Sequence, residues 1–229
     1  MNILITGASS GIGYETALLL AKQGHKVFAA ARSADKLAKL KAENNSIRIA
    51  AGDIAKEDFL SKLKQEIITE AKTLNVLINN AGYLVNKPFE ELTSTDWQEV
   101  YTTNVFSPVR LIKTLLPLFP PVEKGHIVNI ASMGGLQGSK KFKGLSAYSS
   151  AKEALIGLTE CLAEELSDKN IAVNCLALGS AQTEMFSKAF PGAKAAVTAK
   201  DMAEFIARFA TEGQKLFNGK IIPVANSTP

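Results

Sequence analysis

The sequence predicts an α/β fold, in which one doubly wound, mostly seven-stranded parallel sheet carries helices on both faces. Seven short runs rich in Val and Ile alternate with longer segments of helical periodicity. Strands that are apolar on both faces and separated by helices are typical of a parallel sheet covered on both sides. Right-handed crossovers then give the doubly wound arrangement, here in a single domain spanning residues 1–229.

The individual elements follow from this alternation of periods. The predicted strands are Asn2–Ile5, Lys26–Ala30, Ile47–Ala50, Val76–Ile78, His126–Ile130, Ile171–Leu176 and Lys220–Val224. The predicted helices are Ile12–Gln23, Ala34–Glu43, Glu57–Lys72, Thr95–Leu118, Ser146–Leu166 and Lys200–Thr211. Pro223 cannot donate a ladder hydrogen bond, so the last strand is expected at a sheet edge.

Composition narrows the class of protein. The chain is 46% apolar and 21% charged with a net charge of +4, which suits one globular core and shows no basic cluster of the nucleic-acid-binding kind. No apolar run approaches a membrane span, and the N-terminus runs directly into a strand instead of a signal peptide. Cys161 and Cys175 are isolated, so neither a metal site nor a disulfide is expected and the predicted location is cytoplasmic.

The first strand leads into a glycine-rich turn, Thr6 to Gly13, and then into a helix. Such a turn lets the backbone approach a ligand, and the following helix N-terminus offers free N–H groups to phosphate. The spacing is GxxxGxG and differs from the GxGxxG of the standard dinucleotide fingerprint. A tight turn needed only for packing is the alternative.

The second and third strands end in residues that bear on the cofactor. An acid here would bind the ribose hydroxyls of NAD, whereas an arginine accommodates a 2′-phosphate. The second strand ends in Arg32, with Ser33 beside it, which favours NADP over NAD unless Arg32 is a solvated surface charge. Asp53, after the third strand, has the chemistry to accept a hydrogen bond from an adenine amino group, or to cap a helix.

Tyr148 and Lys152 lie four residues apart in a helical segment, so both side chains are expected on one face. A cation near a phenol lowers its pKa from about 10 and makes it a proton donor and acceptor suited to carbonyl/alcohol interconversion. Taken alone, YxxxK occurs often by chance, and the pair is then more simply an ordinary surface tyrosine and lysine on an amphipathic helix.

Asn79-Asn80-Ala81-Gly82 follows the fourth strand. Together with TGxxxGIG at Thr6–Gly13, with Ser132 and with YxxxK at Tyr148–Lys152, it resembles the short-chain dehydrogenase/reductase family from about residue 2 to residue 185. The resemblance implies a Rossmann fold and an oxidoreductase that moves hydride between a nicotinamide and a carbonyl or alcohol carbon. It resolves the ambiguity of the Tyr–Lys pair in favour of function.

The resemblance also implies roles for individual residues. Tyr148 would be the general acid/base, Lys152 would lower its pKa and hold the nicotinamide ribose, Ser132 would bind the substrate carbonyl oxygen, and Asn104 would hold a proton-relaying water. The implied cofactor contacts are Gly7, Ser9, Ser10, Gly11, Ile12, Arg32, Ser33, Asp53, Ile54, Asn80, Ala81, Gly82, Tyr148, Lys152, Gly179 and Thr183. No metal is implied, and Asn79 is expected to bridge neighbouring strands.

The chain departs from the family pattern in four places. Leu178 replaces the usual proline after the sixth strand. The segment 179–201 is short for a substrate lid, which predicts an open site. The loop 133–147 is long and basic, which suggests contact with a negatively charged substrate tail. The C-terminal tail lacks the family's glycines, so a homodimer through the helices at 95–118 and 146–166 is expected, with a tetramer or a monomer as alternatives.

The preferred interpretation is an NADP-dependent oxidoreductase acting on the carbonyl or alcohol of a small molecule, with no nucleic-acid or membrane partner. A 3-ketoacyl-thioester reductase of lipid metabolism is the alternative within the same class. A nucleotide-binding regulator that performs little chemistry is the alternative from another class, and the full set of Asn104, Ser132, Tyr148 and Lys152 argues against it.

Overall fold

The computed structural model describes residues 1–226. The strands are β1 Asn2–Thr6, β2 Lys26–Ala31, β3 Arg48–Ala51, β4 Val76–Asn79, β5 Gly125–Ser132, β6 Ile171–Leu178, β7 Ala181–Gln182, β8 Val197–Thr198 and β9 Ile221–Val224. Seven of them form one parallel sheet in the order β3-β2-β1-β4-β5-β6-β9, and β7 pairs with β8 separately. The predicted sheet is confirmed, and β9 lies at its edge as Pro223 required.

The α-helices are α1 Gly11–Lys22, α2 Ala34–Glu43, α3 Glu57–Ala71, α4 Ser94–Tyr101, α5 Ser107–Leu115, α6 Ser146–Glu165, α7 Glu184–Ala189 and α8 Ala199–Glu212. Short 3₁₀ turns occupy Phe89–Glu91, Leu116–Leu118, Met133–Gly135, Ser167–Lys169 and Gly213–Lys215. The helices cover both faces of the sheet, because one buried apolar cluster joins α1, α2 and α8 to the strands and a second joins α3, α5 and α6.

The chain starts in the middle of the sheet and winds outward in both directions. Strand β1 pairs with β2 on one side and with β4 on the other. In doubly wound sheets, ligands bind in the crevice beside the carboxyl ends of the strands at such a switch point. The ends of β1, β4 and β5 therefore define where a site can form.

The single helix predicted over 95–118 is wrong in one respect. A π-helical segment, Thr102–Phe106, separates α4 from α5, and a 3₁₀ turn ends the run. A π-helical segment of five residues changes the apolar spacing of a long helical run very little, so the periodicity of the sequence does not reveal it. Such segments are frequent at functional sites, and Asn104 lies in this one.

The segment between β6 and α8, to which no predicted helix or strand was assigned, contains β7, α7 and β8. Helix α7 is only six residues long, too short to produce a periodic pattern in sequence. It is started by Thr183, whose hydroxyl accepts a hydrogen bond from the Phe186 N–H at 3.1 Å.

Of the helices described in residues 1–226, each is too short or too polar to span a lipid bilayer. The predicted C-terminal tail is described only as far as residue 226, so residues 227–229 lie outside the described part of the chain.

Candidate active site

The turn after β1 is shaped by glycines that no other residue can replace without strain. Gly7 and Gly11 have φ values of +70° and +57°, the left-handed region that favours glycine. A Cβ on Gly13 would lie 2.4 Å from the Gly7 carbonyl oxygen and 2.4 Å from Asn80 Nδ2. The turn is therefore packed as closely as its backbone permits.

The residues that directly follow β4 hold this turn from the side by hydrogen bonds. The Thr6 hydroxyl accepts hydrogen bonds from the N–H groups of Asn80 and Ala81 at 3.1 and 3.0 Å. The Asn80 side-chain amide donates to the Thr6 carbonyl at 2.9 Å. Asn80 was predicted to line the adenosine side of a cofactor site, but its side chain is turned onto the glycine turn and positions it.

The N-terminus of α1 has the properties of a phosphate site. Ser10 precedes the helix in an extended conformation, and within residues 1–226 its side chain makes no capping hydrogen bond. The first turn is uncharged and includes Gly11 and Ile12, so its N–H groups and partial positive charge are left for an anion. A cradle of glycines that any Cβ would fill, facing these groups, fits the pyrophosphate of a dinucleotide.

The tip of β2 carries the two residues that were predicted to bind the 2′-phosphate on the ribose of NADP. Arg32 is exposed, and Ser33 is the N-cap residue of α2. At the end of β3, the Asp53 carboxylate accepts a hydrogen bond from the Ala55 N–H at 2.9 Å, closing a turn before α3. The side chain of Ile54 is only 9% exposed and packs in the core, so only its main chain remains for a cofactor contact.

Asn104 is fully buried where the π segment approaches the loop after β4. Its amide nitrogen donates to the carbonyls of Tyr83 and Val100 at 2.7 and 2.8 Å, and its oxygen accepts from the Tyr83 N–H at 3.3 Å. A methyl group on Gly82 would lie 3.2 Å from Asn104 Oδ1 and 3.7 Å from Lys152 Nζ. The structure thus brings Asn104, Gly82 and Lys152 together.

Strand β5 and helix α6 bring together the other three residues predicted to be catalytic. Ser132 ends β5, and its hydroxyl accepts from the Gly134 N–H at 3.2 Å. Lys152 is buried and donates to the Ile130 carbonyl at 2.8 Å. Its ammonium lies 5.7 Å from the centre of the Tyr148 ring.

The predicted effect of the lysine on the tyrosine is wrong in this structure. Burial raises the pKa of Tyr148 to about 12, and the Ser132 hydroxyl only partly opposes this. Burial also lowers the pKa of Lys152 to about 8. Because Lys152 is turned toward the Ile130 carbonyl and its own charge is destabilised, it does not offset the desolvation of the phenol. At neutral pH, Tyr148 is a neutral proton donor.

A buried hydrogen-bond chain holds α6 against the sheet. Asn79 donates to Asn129 Oδ1 at 2.8 Å, which confirms that Asn79 bridges two strands. Asn129 in turn donates to the Thr159 hydroxyl on α6 at 2.9 Å, and Thr159 donates to the Leu155 carbonyl at 2.8 Å. This chain fixes α6, and with it the Tyr148–Lys152 face, relative to β4 and β5.

The expectation of an open site is wrong. The segment 179–198, here called the lid, lies across the cleft: a methyl group on Gly11 would lie 3.3 Å from Thr183 Cγ2, and one on Gly82 would lie 3.9 Å from Met185 Cε. At the far end of the lid, the Asn86 amide donates to the Ala189 carbonyl at 2.7 Å. The lid is short, but α7 gives it a fixed shape that reaches both sides.

Gly179 is explained by packing against β9. Its N–H donates to the Val224 carbonyl at 2.9 Å, and a Cβ on it would lie 2.7 Å from Ala225 Cβ. Leu178, which stands where the family usually has proline, is the last residue of β6 and is paired with Val224. The predicted cofactor contact of Gly179 therefore stays a prediction.

The basic loop 133–147 is tied down more than its composition suggested. Lys141 donates to the carbonyls of Gly134 and Leu136 at 2.8 and 2.6 Å, so one of the three lysines holds the loop itself. Phe142 of this loop packs edge-on against Phe190 of the lid, with 5.9 Å between ring centres. Lys140 lies over the Phe142 ring, and contact with a substrate tail stays a prediction.

Sequence reasoning missed three participants in this region. Thr6 braces the glycine turn, and it was visible as the first residue of TGxxxGIG. Lys36 and Glu184 form a salt bridge of 3.0 Å between α2 and α7. No local pattern announces that pair, because the two residues are 148 positions apart.

A doubly wound sheet, a glycine cradle at a helix N-terminus and a Ser–Tyr–Lys group at one crevice define a dinucleotide-dependent oxidoreductase. Within residues 1–226, no group of three or more His, Cys, Asp or Glu side chains could hold a metal ion. The model of the short chain dehydrogenase family matches residues 1–194, and the chain belongs to that family.

Curated relatives agree with this assignment. The chain is 32% identical over 189 residues to the 3-oxoacyl-(acyl-carrier-protein) reductase FabG of Chlamydia trachomatis, covering 80% of this chain and 74% of the relative. It is 30% identical over 203 residues to an NADPH-dependent pterin aldehyde reductase of Arabidopsis thaliana, covering 87% and 82%. A short chain dehydrogenase from Shigella flexneri, solved with NADP, superposes with a TM-score of 0.88 at 28% identity and covers 97% of this chain and 95% of that one.

Proposed function

We propose that this protein is an NADP-dependent reductase of a carbonyl compound, reversible toward the alcohol, in which Tyr148 is the general acid/base. One observation carries the proposal: Ser132, Tyr148 and Lys152 converge at the carboxyl end of β5, beside a glycine cradle suited to a dinucleotide. A bound nicotinamide dinucleotide would supply the hydride. Cofactor and substrate would share this one domain.

The protonation state of Tyr148 favours reduction. With a pKa of about 12, its phenol is protonated at neutral pH and able to donate a proton to a nascent alkoxide. The Ser132 hydroxyl, at the same crevice, would bind the carbonyl oxygen that receives the proton. Lys152 and Asn104 lie behind Tyr148 at Gly82, where they would pass a replacement proton inward through water.

Several residues would hold the cofactor. The turn from Gly7 through Ser9, Ser10, Gly11 and Ile12 would take the pyrophosphate, while Asn80, Ala81 and Gly82 would border the adenosine and nicotinamide ribose. Arg32 and Ser33, at the tip of β2, would take a 2′-phosphate, because residues 31–33 include a guanidinium and no acidic side chain. Asp53 would meet adenine, and Thr183 would contact the diphosphate from the lid. The NADP and NADPH of the Shigella and Arabidopsis relatives support this choice.

Titration of the purified protein with NADPH and NADH, followed by nicotinamide fluorescence, tests the proposal. We expect NADPH to bind more tightly than NADH, and Arg32→Ala to weaken NADPH binding about tenfold or more with little effect on NADH. Arg48→Ala is the matched control, because Arg48 at the start of β3 is paired with Glu70 of α3. Equal binding of both cofactors would contradict the NADP proposal, and binding of neither would contradict the enzymatic one.

The second candidate substrate is a 3-ketoacyl thioester. The similarity to FabG over most of both chains favours it. Leu178 and the compact lid, with Met185 over Gly82, distinguish this chain from the family pattern and favour a small carbonyl compound. Steady-state rates with acetoacetyl thioesters and with small aldehydes and ketones, at equal NADPH, separate the two candidates.

We further propose that the protein self-associates as a homodimer through α4, α5 and α6, and that it is cytoplasmic. An aromatic row on this side, Phe89, Trp97, Tyr101 and Phe106, ends in Phe106, which is 47% exposed. Exposed apolar side chains in a row are typical of association surfaces. Sedimentation equilibrium should give a dimer, and Phe106→Glu should shift it toward the monomer. A tetramer would extend this proposal, and a monomer would contradict it.

A further inference from the structure

We propose that Lys36 is a second cation that binds the 2′-phosphate of NADP. Without NADP, Lys36 forms a salt bridge with Glu184 of the lid, and the phosphate takes the place of the Glu184 carboxylate. The proposal rests on the proposed function, since it assumes that NADP binds with its 2′-phosphate at the tip of β2. It goes further by linking cofactor choice to the position of the lid.

The positions of the two residues carry the first step. Lys36 lies in the first turn of α2, four residues after Arg32, so both cations belong to the same end of β2. Its ammonium is 3.1 and 3.0 Å from the two carboxylate oxygens of Glu184. The neighbouring residue, Thr183, packs against Gly11 of the glycine turn. The salt bridge therefore crosses the mouth of the cofactor cleft from the ribose side to the lid.

The lid also reaches the opposite end of the cleft. The methyl group of Met185 points to the face of Gly82 that Lys152 and Asn104 approach. A nicotinamide ribose held by Lys152 would need this space. The residues next to Glu184 thus occupy both ends of the proposed cofactor path while the salt bridge is formed.

The energetics favour exchange of one anion for another. The side chains of Lys36 and Glu184 are 44% and 61% exposed, and exposed salt bridges contribute little to stability. A phosphate carries close to two negative charges and three strong acceptor oxygens, and lysine binds phosphate as a point charge. The same lysine should therefore prefer the 2′-phosphate, while NADH, which lacks this group, has nothing to offer it.

Four variants test the exchange through the ratio of NADPH to NADH affinity, measured by fluorescence titration of the full chain. Lys36→Met should lower this ratio about tenfold. Glu184→Gln should raise it about threefold, since the carboxylate no longer competes. In the double variant, Glu184→Gln should add nothing to Lys36→Met, because the two act through one contact. Lys39→Met, which removes the same charge one turn further along α2, should leave the ratio unchanged within about twofold.

A second measurement reports on the lid without cofactor or turnover. Trypsin cleavage after Lys188, followed by mass spectrometry, should accelerate about threefold in both Lys36→Met and Glu184→Gln, because either change frees α7 from α2. Lys39→Met should cleave at the rate of the unchanged protein. Equal cleavage rates in all variants would overturn the proposal that the Lys36–Glu184 salt bridge holds the lid.

The outcomes separate the two proposals. If Arg32→Ala lowers the affinity ratio but Lys36→Met changes it less than twofold, the NADP proposal stands and the role of Lys36 is overturned. If Glu184→Gln raises the ratio equally with and without Lys36, Glu184 acts on the phosphate by direct repulsion and the exchange is overturned. If the unchanged protein binds neither cofactor, the proposed function itself is wrong.

Discussion

Asn129 joins strand β5 to helix α6 by donating its side-chain amide to the Thr159 hydroxyl at 2.9 Å, while its oxygen accepts from Asn79 at 2.8 Å. All three side chains are buried. The face of α6 that carries Tyr148 and Lys152 is thus positioned from two strands at once. These directional polar contacts fix its orientation, which apolar packing alone would not do.

Replacing Asn129 by leucine keeps the number and branching of the side-chain heavy atoms but removes both hydrogen bonds. We expect a loss of about 2–3 kcal/mol in unfolding free energy, because the buried Asn79 amide is left without its partner. Turnover should fall about tenfold through displacement of α6, while NADPH affinity should change little. Urea unfolding and steady-state kinetics measure the two effects. Asn45→Leu, at an exposed position, is the control and should stay within about 0.5 kcal/mol; an equal loss there would contradict the assignment.

Tyr148→Phe removes the hydroxyl that is proposed to donate the proton and keeps the aromatic ring. Turnover should fall by about 10²- to 10⁴-fold, the range of a lost general acid, whereas the dissociation constant of NADPH should stay within about twofold. Stopped-flow hydride transfer and fluorescence titration report the two quantities separately. Tyr14→Phe is the matched control, since Tyr14 is also a tyrosine whose pKa is raised to about 12 but it binds Glu43 on the protein surface. Unchanged turnover in Tyr148→Phe would contradict the role of Tyr148 as general acid, whereas cofactor binding without turnover in the unsubstituted protein would favour a nucleotide-binding regulator.

His126 makes stability depend on pH. It is fully buried, its ring nitrogens face the Ala210 carbonyl and the Asn174 amide at 3.0 Å each, and burial lowers its pKa to about 4. The unfolded chain, with a pKa near 6.5, binds the proton first as pH falls. Stability contributed by neutral His126 is therefore complete above about pH 6.5 and is lost progressively down to about pH 4, by about 3 kcal/mol.

His126→Gln provides the comparison for this pH effect. Glutamine can donate to the Ala210 carbonyl and accept from Asn174 without titrating. Between pH 7 and pH 4, the unfolding free energy of the unsubstituted protein should fall by about 3 kcal/mol more than that of His126→Gln, as measured by urea unfolding. Parallel pH curves for the two proteins would show that His126 does not carry the effect.

Substitution by alanine should be harmful at Gly13 and stabilising at Gly157. At Gly13 a methyl group would meet the Gly7 carbonyl and Asn80 at 2.4 Å, so Gly13→Ala should distort the phosphate turn and weaken NADPH binding by about tenfold or more. At Gly157, inside α6, no heavy atom of the described chain lies within 4 Å, apart from the helix's own neighbouring backbone. Gly157→Ala should raise stability by about 0.5–1 kcal/mol without changing cofactor affinity. Calorimetry and titration of both variants check this, and weaker binding in Gly157→Ala would count against the explanation.

The sequence by itself determined the sheet and the choice of candidate site residues. Alternation of apolar runs with helical segments fixed seven parallel strands, because a strand buried on both faces must be apolar throughout. Pro223 placed the last strand at the edge, since it lacks an N–H. Motifs whose residues are close in sequence, such as Tyr148 and Lys152, were readable because helix geometry alone brings them together.

Only the tertiary structure decided the features that depend on distant residues or on desolvation. The pKa of Tyr148 rises because the fold buries the phenol and turns Lys152 toward the Ile130 carbonyl, which no spacing of residues encodes. The lid lies over the cleft because Thr183, the N-cap residue of a helix too short for periodicity, packs against Gly11 of the glycine turn. Lys36 and Glu184 are 148 positions apart in the sequence and form their salt bridge only because the lid packs beside α2. Sequence periodicity records which faces are buried, whereas contacts between loops are set by how those faces pack.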